Sequence, residues 1–467
     1  MLSGCAVGPS YQGPPDTHLQ TFHNVPAASM DAVAGTVADS PATLDSWWIA
    51  FHDPVLSQIV ERALNQNLDL AASVARVDQA RAAARGAGAR LLPSGAFDGS
   101  VDQLHQSLNG PIGAIAHDLP GYERDQTLYA TDVGAQWELD LAGGLKRGAE
   151  AARAEAQVAE SEQLGVRISV VAEAADAYLQ IRGDQARVAI ARSQVDNDTR
   201  LLGLVRLRLS QGASSDKEVA QAEALLSQAR ATISPLRIAL EEQSNRLDVL
   251  LGVQPGTYAA LLAQPADIPA APIIPADRDA AQLLRRRPDI IAAERKLAAS
   301  DALIGVAMSE YYPKVSLAGA LGFESLSASH LLGAASFQPQ AAAGLRWRLF
   351  DFGRVDAEVA QASSAHAQAL LAYRQTVLRA TEDVENAFAS LTQLDLQIHD
   401  LTDEVNALSR ARDTSQELYL AGASSLTDVL DADRQSLVAQ DQLARARADL
   451  ARSAVISFRA LGGGWSM

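Results

Sequence analysis

Tyr419 to Asp431 reads Y-L-A-G-A-S-S-L-T-D-V-L-D. Long helical patterns flank the stretch on both sides, so it forms a tight helix–helix turn. Gly422 can take the left-handed backbone that ends the first helix, and Ser424 or Ser425 can cap the second. On that second helix Asp428 and Asp431 are three apart and Thr427 and Asp431 four apart, so the three share a face. The turn also has an echo. Gly212-Ala213-Ser214-Ser215 repeats Gly422-Ala423-Ser424-Ser425 at an offset of 210.

The same offset aligns rarer residues. Trp137 maps to Trp347, Leu139 to Leu349, Gly143 to Gly353 and Tyr178 to Phe388. Further upstream the offset is 220, where Leu64 maps to Leu284, Asp69 to Asp289 and Pro93 to Pro313. An Ala-rich chain does not bring Trp, Pro and Gly into one register by chance. The chain is two copies of one unit, with about ten extra residues between Pro93 and Trp137 in the first, and a repeat this long is an internal duplication.

Over 467 residues the apolar content is 48% while aromatics make up only 5%. Small apolar side chains with few aromatics suit long, closely packed helices better than a thick globular core. The net charge of −17, with no basic cluster to reverse it locally, argues against a nucleic-acid partner. No run of about 18 apolar residues occurs, so no transmembrane helix is expected. A single cysteine excludes an intrachain disulfide. The eight His include no pair at metal-ligand spacing with carboxylate company. There is no Walker A loop and no G-x-S-x-G elbow, and Gly462-Gly463-Gly464 opens no helix. Neither an enzyme nor a metal nor a cofactor is expected. The four Met cluster nowhere, which weakens a copper-specific path.

Taken in order, residues 6 to about 45 carry Pro9, Pro14, Pro15, Pro26 and Pro41 among small polar residues, an extended tether. Trp47-Trp48-Ile49-Ala50-Phe51-His52-Asp53-Pro54 packs that tether onto the folded body. A helix is predicted from about Val55 to Leu91, stopped by Pro93. From Ser94 the period becomes two, with Phe97, Gly99 and Val101 on one side. After a Gly- and Pro-rich loop, Tyr129, Thr131, Val133, Ala135, Trp137 and Leu139 face one way, and Asp132, Gln136, Glu138 and Asp140 the other. In the second copy Val315, Leu317, Leu321 and Phe323 oppose Lys314 and Glu324, and Ala341, Ala343, Leu345, Trp347 and Leu349 oppose Arg346 and Arg348. Each strand of about 11 residues crosses a bilayer when tilted, with an apolar side for lipid and a polar side for water. Soluble antiparallel hairpins alternate too. Four strands cannot close a barrel, and open edges are not tolerated in lipid. A membrane location therefore demands an oligomer of two, three or four chains.

From Gly144 to Leu209 nothing interrupts the helical pattern. Ile181, Val188, Val195, Leu202 and Leu209 recur every seven residues, a coiled-coil seam. Leu391, Ile398 and Val405 hold the same register in the second copy, joined by Leu394, Leu401 and Leu408. Arg412 and Tyr419 then stand where the first copy has Leu202 and Leu209. A helix of roughly 66 residues spans about 100 Å, which suits a conduit across a wide space rather than a compact domain. Returning helices follow from about Asp216 to Leu251 and Leu426 to Leu461. The expected division is a lipid anchor and tether over 1–54, a first repeat over 55–251, a Pro-rich linker at the equator over 252–277, and a second repeat with its tail over 278–467.

These features together resemble the TolC/OprM-type outer-membrane efflux channels, in the NodT-like lipoprotein branch. The resemblance rests on Leu2-Ser3-Gly4-Cys5, similar to a lipobox, with Ala6-Val7-Gly8-Pro9-Ser10-Tyr11 after it, on Trp47-Trp48, on Trp347 to Gly353 (W-R-L-F-D-F-G) and on the terminal L-G-G-G-W. Ser10 stands where many relatives have Asp. The resemblance implies lipidation at Cys5, with the given start lying inside the signal peptide. It implies outer-membrane sorting, since Ala6 is not the retaining aspartate. It further implies a fold that is mainly α with membrane β, built as a homotrimer with a 12-stranded β-barrel continued by a 12-helix α-barrel. The turns at Gly212, Ala213 and Ser214, and at Gly422, Ala423 and Ser424, become the periplasmic tip where an adaptor protein docks, beneath an inner-membrane pump of the RND type. Asp428 and Asp431 match aperture aspartates, with Thr427 at a constriction position. Tyr419 and Glu218 match positions that tie helices in the closed state. Ser424 replaces an arginine of that network, leaving Arg206, Arg208 or Arg412 to supply the cation. Three carboxylates converging on an axis repel one another, which raises their pKa values and favours bound cations. The expected function is a passive exit duct of a tripartite efflux system. A duct for type I protein secretion and a non-pore periplasmic coiled-coil lipoprotein are the alternatives.

Overall fold

The computed structural model describes residues 6–14, 21–26, 43–275 and 280–466. The expected lipidation site, Cys5, lies outside the described residues.

Trp47–Phe51 forms one 3-10 turn. Helix α1 (Pro54–Gln66) follows, opened by Asp53, whose side chain accepts from the Val55 and Leu56 amides. The single helix expected from Val55 to Leu91 is in fact two, because Asn67 takes an extended backbone (ψ 128°) and separates α1 from α2 (Leu68–Ala89). The Asn67 side chain explains the break. Its oxygen accepts from the Leu70 amide at 2.9 Å, an N-cap for α2, and its Nδ2 donates to the Leu250 carbonyl at 2.8 Å. The apolar spacing runs on through a one-residue break, so periodicity alone does not reveal it.

Strand β1 (Ser94–His105), the short helix α3 (Pro111–Ala116) and strand β2 (Asp125–Leu139) lead into α4 (Gly144–Ser210) and α5 (Asp216–Leu250). The linker holds α6 (Ala259–Leu262). The second copy supplies α7 (Ala280–Arg285), α8 (Pro288–Ser309), β3 (Lys314–Ser325), β4 (Phe337–Arg346), α9 (Arg354–Leu420) and α10 (Leu426–Ala460). The chain forms two compact units, and each draws on both copies. One comprises Val77–Val158, Ala293–Ala372 and the segment up to Pro14, while Pro15–Arg76, Ala159–Ala292 and Tyr373–Met467 make the other.

The first unit carries the sheet, antiparallel in the order β1-β2-β3-β4. β2 pairs with β3, so the two copies meet at its centre. Phe97 lies opposite Val133 and Val133 opposite Leu321. These three and Leu345 are exposed, an apolar face that no described residue covers. On the other face Asp98 lies opposite Asp132. β4 ends at Arg346, paired with Lys314, so Trp347 and Leu349 lie beyond the strand in which the alternation had placed them. β3 begins at Lys314, so the ladder leaves no partner for Trp347 or Leu349. The Trp347 indole donates to the Tyr311 carbonyl at 3.0 Å, as the Trp137 indole donates to the Leu91 carbonyl at 3.0 Å. Each Trp ties the sheet to the end of the preceding helix.

The second unit is helical. Trp47, Trp48 and Phe51 are buried, and the Trp47 ring stacks on Phe458 at 5.1 Å and 6°. Ile181, Val188 and Leu202 of the heptad seam are buried, as are Leu391 and Leu401 in the second copy. Helices α4 and α10 run side by side in close contact. A Cβ built on Gly183 would sit 2.6 Å from the Ala448 methyl. Arg187 grips Asp441 through two bonds of 2.8 and 3.1 Å, and Arg452 grips Asp176 at 2.7 and 3.3 Å. Such two-point guanidinium–carboxylate pairs fix register as well as adding energy. The linker is pinned to α4, because Arg182 donates to the Gln264 carbonyl at 2.7 Å and Gln185 to the Leu262 carbonyl.

The second unit also repeats a joint. Arg287 stands where the first copy has Asn67. Asn67 donates to the Leu250 carbonyl, and Arg287 to the Ala460 carbonyl at 2.9 Å. In each copy a side chain at the break between two helices reaches the last residue of the returning helix. Arg287 also holds Asp289 and Asp383, at 2.8 and 2.9 Å.

Candidate functional site

Both tip turns are built alike. Gly212 and Gly422 have φ of +73° and +76°, the left-handed region in which a Cβ is penalised. The amides of Ala213 and Ala423 reach back to the carbonyls of Arg208 and Leu418, each at 2.8 Å. The Gly212 and Gly422 amides bond Leu209 and Tyr419 at 2.9 and 3.0 Å. This double bond pattern closes a helix end around glycine. Ser215 and Ser425 then cap α5 and α10, each in a reciprocal box with the residue three later.

That box gives Glu218 and Asp428 the same task. One Glu218 oxygen accepts from the Ser214 hydroxyl at 2.6 Å and the Ser215 amide at 2.9 Å. One Asp428 oxygen accepts from the Ser424 hydroxyl at 2.7 Å and the Ser425 amide at 3.0 Å. The serine hydroxyls, with the backbone amides, hold both carboxyls below the usual carboxylate range. Within one chain, then, the direction at Asp428 is opposite to the rise expected from mutual repulsion in a ring, because local donors act on it first. In Glu218, expected to tie helices, one oxygen is engaged by its own turn.

The two tips pack on each other. Leu201, Leu202, Val205, Ala222, Leu226, Tyr419, Leu426 and Val429 form one buried cluster drawn from all four helices of the second unit's tip. Arg208 locks it. Its guanidinium sits 4.5 Å from the centre of the Tyr419 ring, and its Nη1 donates to the Tyr419 carbonyl at 2.7 Å. Of the three cations that sequence offered for this position, Arg206 is held by Glu223 at 2.7 Å and Arg412 by Asp413 at 2.7 Å. Tyr419 is buried, yet its hydroxyl has no hydrogen-bond partner among the described residues. Its ring and carbonyl are what meet Arg208.

Thr427, Asp428 and Asp431 are exposed, turned away from this cluster. Asp431 lies 3.7 Å from Arg434 on its own helix. Gly212, Ala213, Gly422 and Ala423 are exposed and Ser214 and Ser424 half-buried. The tip therefore offers a surface of small residues beside a row of acidic side chains.

Sequence reading missed a buried polar group behind the tip. Gln194 and Asp198 of α4 meet Asp433 of α10, and all three are buried. The signal was available, because Asp198 matches Leu408 of the second copy. No described helix is long and apolar enough to cross a membrane, and no group of three His, Cys, Asp or Glu suited to a metal occurs among the described residues.

The family described as "Outer membrane efflux protein" matches residues 59–253 and 280–463, one match for each copy. The pyoverdine export outer membrane protein OpmQ of Pseudomonas putida is 32% identical over 90% of this chain and 88% of its own. Nodulation protein T of Rhizobium leguminosarum bv. trifolii is 30% identical over 100% of this chain and 96% of its own. The solved structure of the outer-membrane channel OprN superposes with a TM-score of 0.87 at 33% identity, covering 99% of this chain and 100% of that one.

Proposed function

The chain belongs to the outer membrane efflux protein family, and we propose that it forms a homotrimeric exit duct gated at the tips of its long helices. It is an outer-membrane efflux channel that works with an adaptor and an inner-membrane pump. In our reading three copies pair β1 and β4 edge to edge, since the two open edges of a four-stranded sheet are not tolerated in the lipid that suits its apolar face. Lipidation at Cys5 adds an anchor, and the small tip surface at Gly212–Ser214 and Gly422–Ser424 receives the adaptor. Small molecules are the cargo and an RND-type pump the driver.

The observation that carries the gate is the tip cluster. Arg208, Tyr419 and the apolar core lock the two turns of one chain together, while Thr427, Asp428 and Asp431 are exposed on one face. Three copies turn that face into rings. Asp428 enters the ring ionised, since its serine donors favour the charged form. In our reading a ring of such charges holds cations and obstructs the aperture, while the intrachain lock keeps the tip shut.

Planar-bilayer conductance tests this. Wild-type protein is expected to open rarely, and Asp428→Ala/Asp431→Ala to open more often with a changed cation preference. Equal conductance in both keeps the channel and removes the gate from these residues. Silence from both, with trimers confirmed in the same sample, would overturn the channel.

A further inference from the structure

The seam between α4 and α10 changes character along its length. At two levels it is crossed by matched charges, Arg452 with Asp176 and Arg187 with Asp441. At the level nearest the tip, two carboxyls meet instead. The Gln194 amide donates to Asp198 at 2.8 Å and also to Asp433. Asp198 is 1% exposed and Asp433 5%. The second Asp198 oxygen is buried without a partner among the described residues.

No cation among the described residues answers them. On α4, Arg200 is exposed and bonded to Asn197, and Asp196 is exposed. On α10, Asp431 and Arg434 pair with each other at the surface. On α5, Glu223 holds Arg206. On α9, Arg412 holds Asp413, and Arg410 is exposed. Two buried carboxylates with no countercharge are strongly disfavoured, so one of the pair keeps a proton. Gln194 gives both carboxyls an N–H rather than an oxygen, and no third acidic, His or Cys side chain completes a metal group among the described residues. The site suits a proton, not a metal ion. Nor does the fold require an acid there, because Leu408 fills the matching position of the second copy.

We propose that Asp198 and Asp433 share one proton that latches the tip end of α4 to α10, and that losing it loosens the tip. The pair sits one helical turn from the gate cluster on both helices. Leu201 and Leu202 follow Asp198, and Val429 precedes Asp433. Deprotonation leaves two like charges in contact and pushes apart the helices that frame Arg208 and Tyr419. The direction at Asp198 agrees, since burial first and then the bond to and charge of Asp433 raise its pKa to about 7. The consequence for conductance rests on the gate reading given above.

Amide hydrogen exchange on the full chain in detergent tests the latch without reference to the pore. Exchange is corrected for the intrinsic effect of pH and read over 194–205 and 426–436. The wild type is expected to open increasingly from about pH 4 to about pH 7, by about tenfold per unit, and to level off above that. Asp198→Asn, neutral and still able to hydrogen bond, is expected to stay closed throughout, and Asp198→Leu likewise. A flat wild-type profile would overturn the proposal, as would the same rise in Asp198→Asn. Conductance separates the two readings. If Asp428→Ala/Asp431→Ala opens the pore while wild-type exchange is flat, the aperture stands and the latch falls. If exchange rises with pH while every variant is silent, the latch stands and the channel reading falls.

Discussion

Replacing Arg208 by Ala removes the polar link between the two tip turns. Two contacts are lost. The hydrogen bond from Nη1 to the Tyr419 carbonyl, 2.7 Å long, is charge-assisted and contributes roughly 1.5–3 kcal/mol. The guanidinium over the Tyr419 ring, at 4.5 Å, adds about 0.5–1 kcal/mol. Both belong to one residue and are not additive, so a combined loss of roughly 2–3 kcal/mol is reasonable. At about 1.4 kcal/mol per decade this raises the open population of the tip roughly 30- to 150-fold. Native-state hydrogen exchange over 201–213 and 415–426 reads that change directly, and single-channel open probability reads it in the bilayer. Arg208→Lys keeps a donor but loses the flat guanidinium, so it is expected to fall between. Were Arg208→Ala to leave both exchange and open probability within about twofold of wild type, the lock would not be Arg208, and the apolar cluster alone would hold the tip.

Three further outcomes follow from the same geometry. Tyr419→Phe removes only a buried hydroxyl that has no partner among the described residues, so thermal unfolding is expected to be unchanged or better by up to about 1 kcal/mol, and gating unaltered; a leakier channel would show that the hydroxyl is used in the assembly. Gly183→Ala places a methyl against Ala448 at 2.6 Å and is expected to cost about 1–3 kcal/mol, with most of the loss recovered in the Gly183→Ala/Ala448→Gly double variant; failure of that rescue would mean the helices are not in contact there. Burial and Asp433 raise the Asp198 pKa from 3.8 to about 7, so the folded chain holds a proton that the unfolded chain gives up. The contribution is complete below the ordinary carboxylate pKa and lost as pH rises through about 7, by roughly 1.4 kcal/mol per unit within that window. Thermal midpoints should fall from pH 5 to pH 8 more steeply in wild type than in Asp198→Asn, and parallel curves would count against the shift.

Much of the architecture was legible because it is periodic. Alternation placed three of the four strands closely, and uninterrupted helical spacing gave α4 and the two returning helices within a residue or two. What stayed hidden depended on single side chains. Asn67 breaks a helix by capping the next one, and its neighbours carry the apolar spacing across the gap. Trp347 keeps the alternation of β4 yet has turned the corner to meet the Tyr311 carbonyl. At the tip, the glycines and serines could be read from the sequence, but Arg206, Arg208 and Arg412 were equivalent until the structure gave two of them surface carboxylates of their own. Glu218 and Asp428 looked like different parts because resemblance assigned them different roles. Their shared place in the repeat shows one capping carboxylate used twice.

The duplication also says which residues are free to carry function. Where the copies agree, at Gly212 and Gly422 or at Ser215 and Ser425, the geometry of the turn dictates the residue. Where they differ, the fold has tolerated two answers. Leu209 and Tyr419 occupy matching places, and only the tyrosine offers a ring to Arg208. Asn67 and Arg287 both reach the end of a returning helix, and only the arginine also gathers Asp289 and Asp383. Asp198 and Leu408 match, and only the aspartate meets a second acid. In each case one copy keeps the minimal structural residue and the other replaces it with a group that makes a longer-range or titratable contact. Two such replacements, Tyr419 and Asp198, lie within the same end of the same unit. A chain of identical copies would give a tip whose two turns are interchangeable. The divergence at these positions makes one turn the lock and the other its partner, and that asymmetry is what a gate held by a few kcal/mol requires.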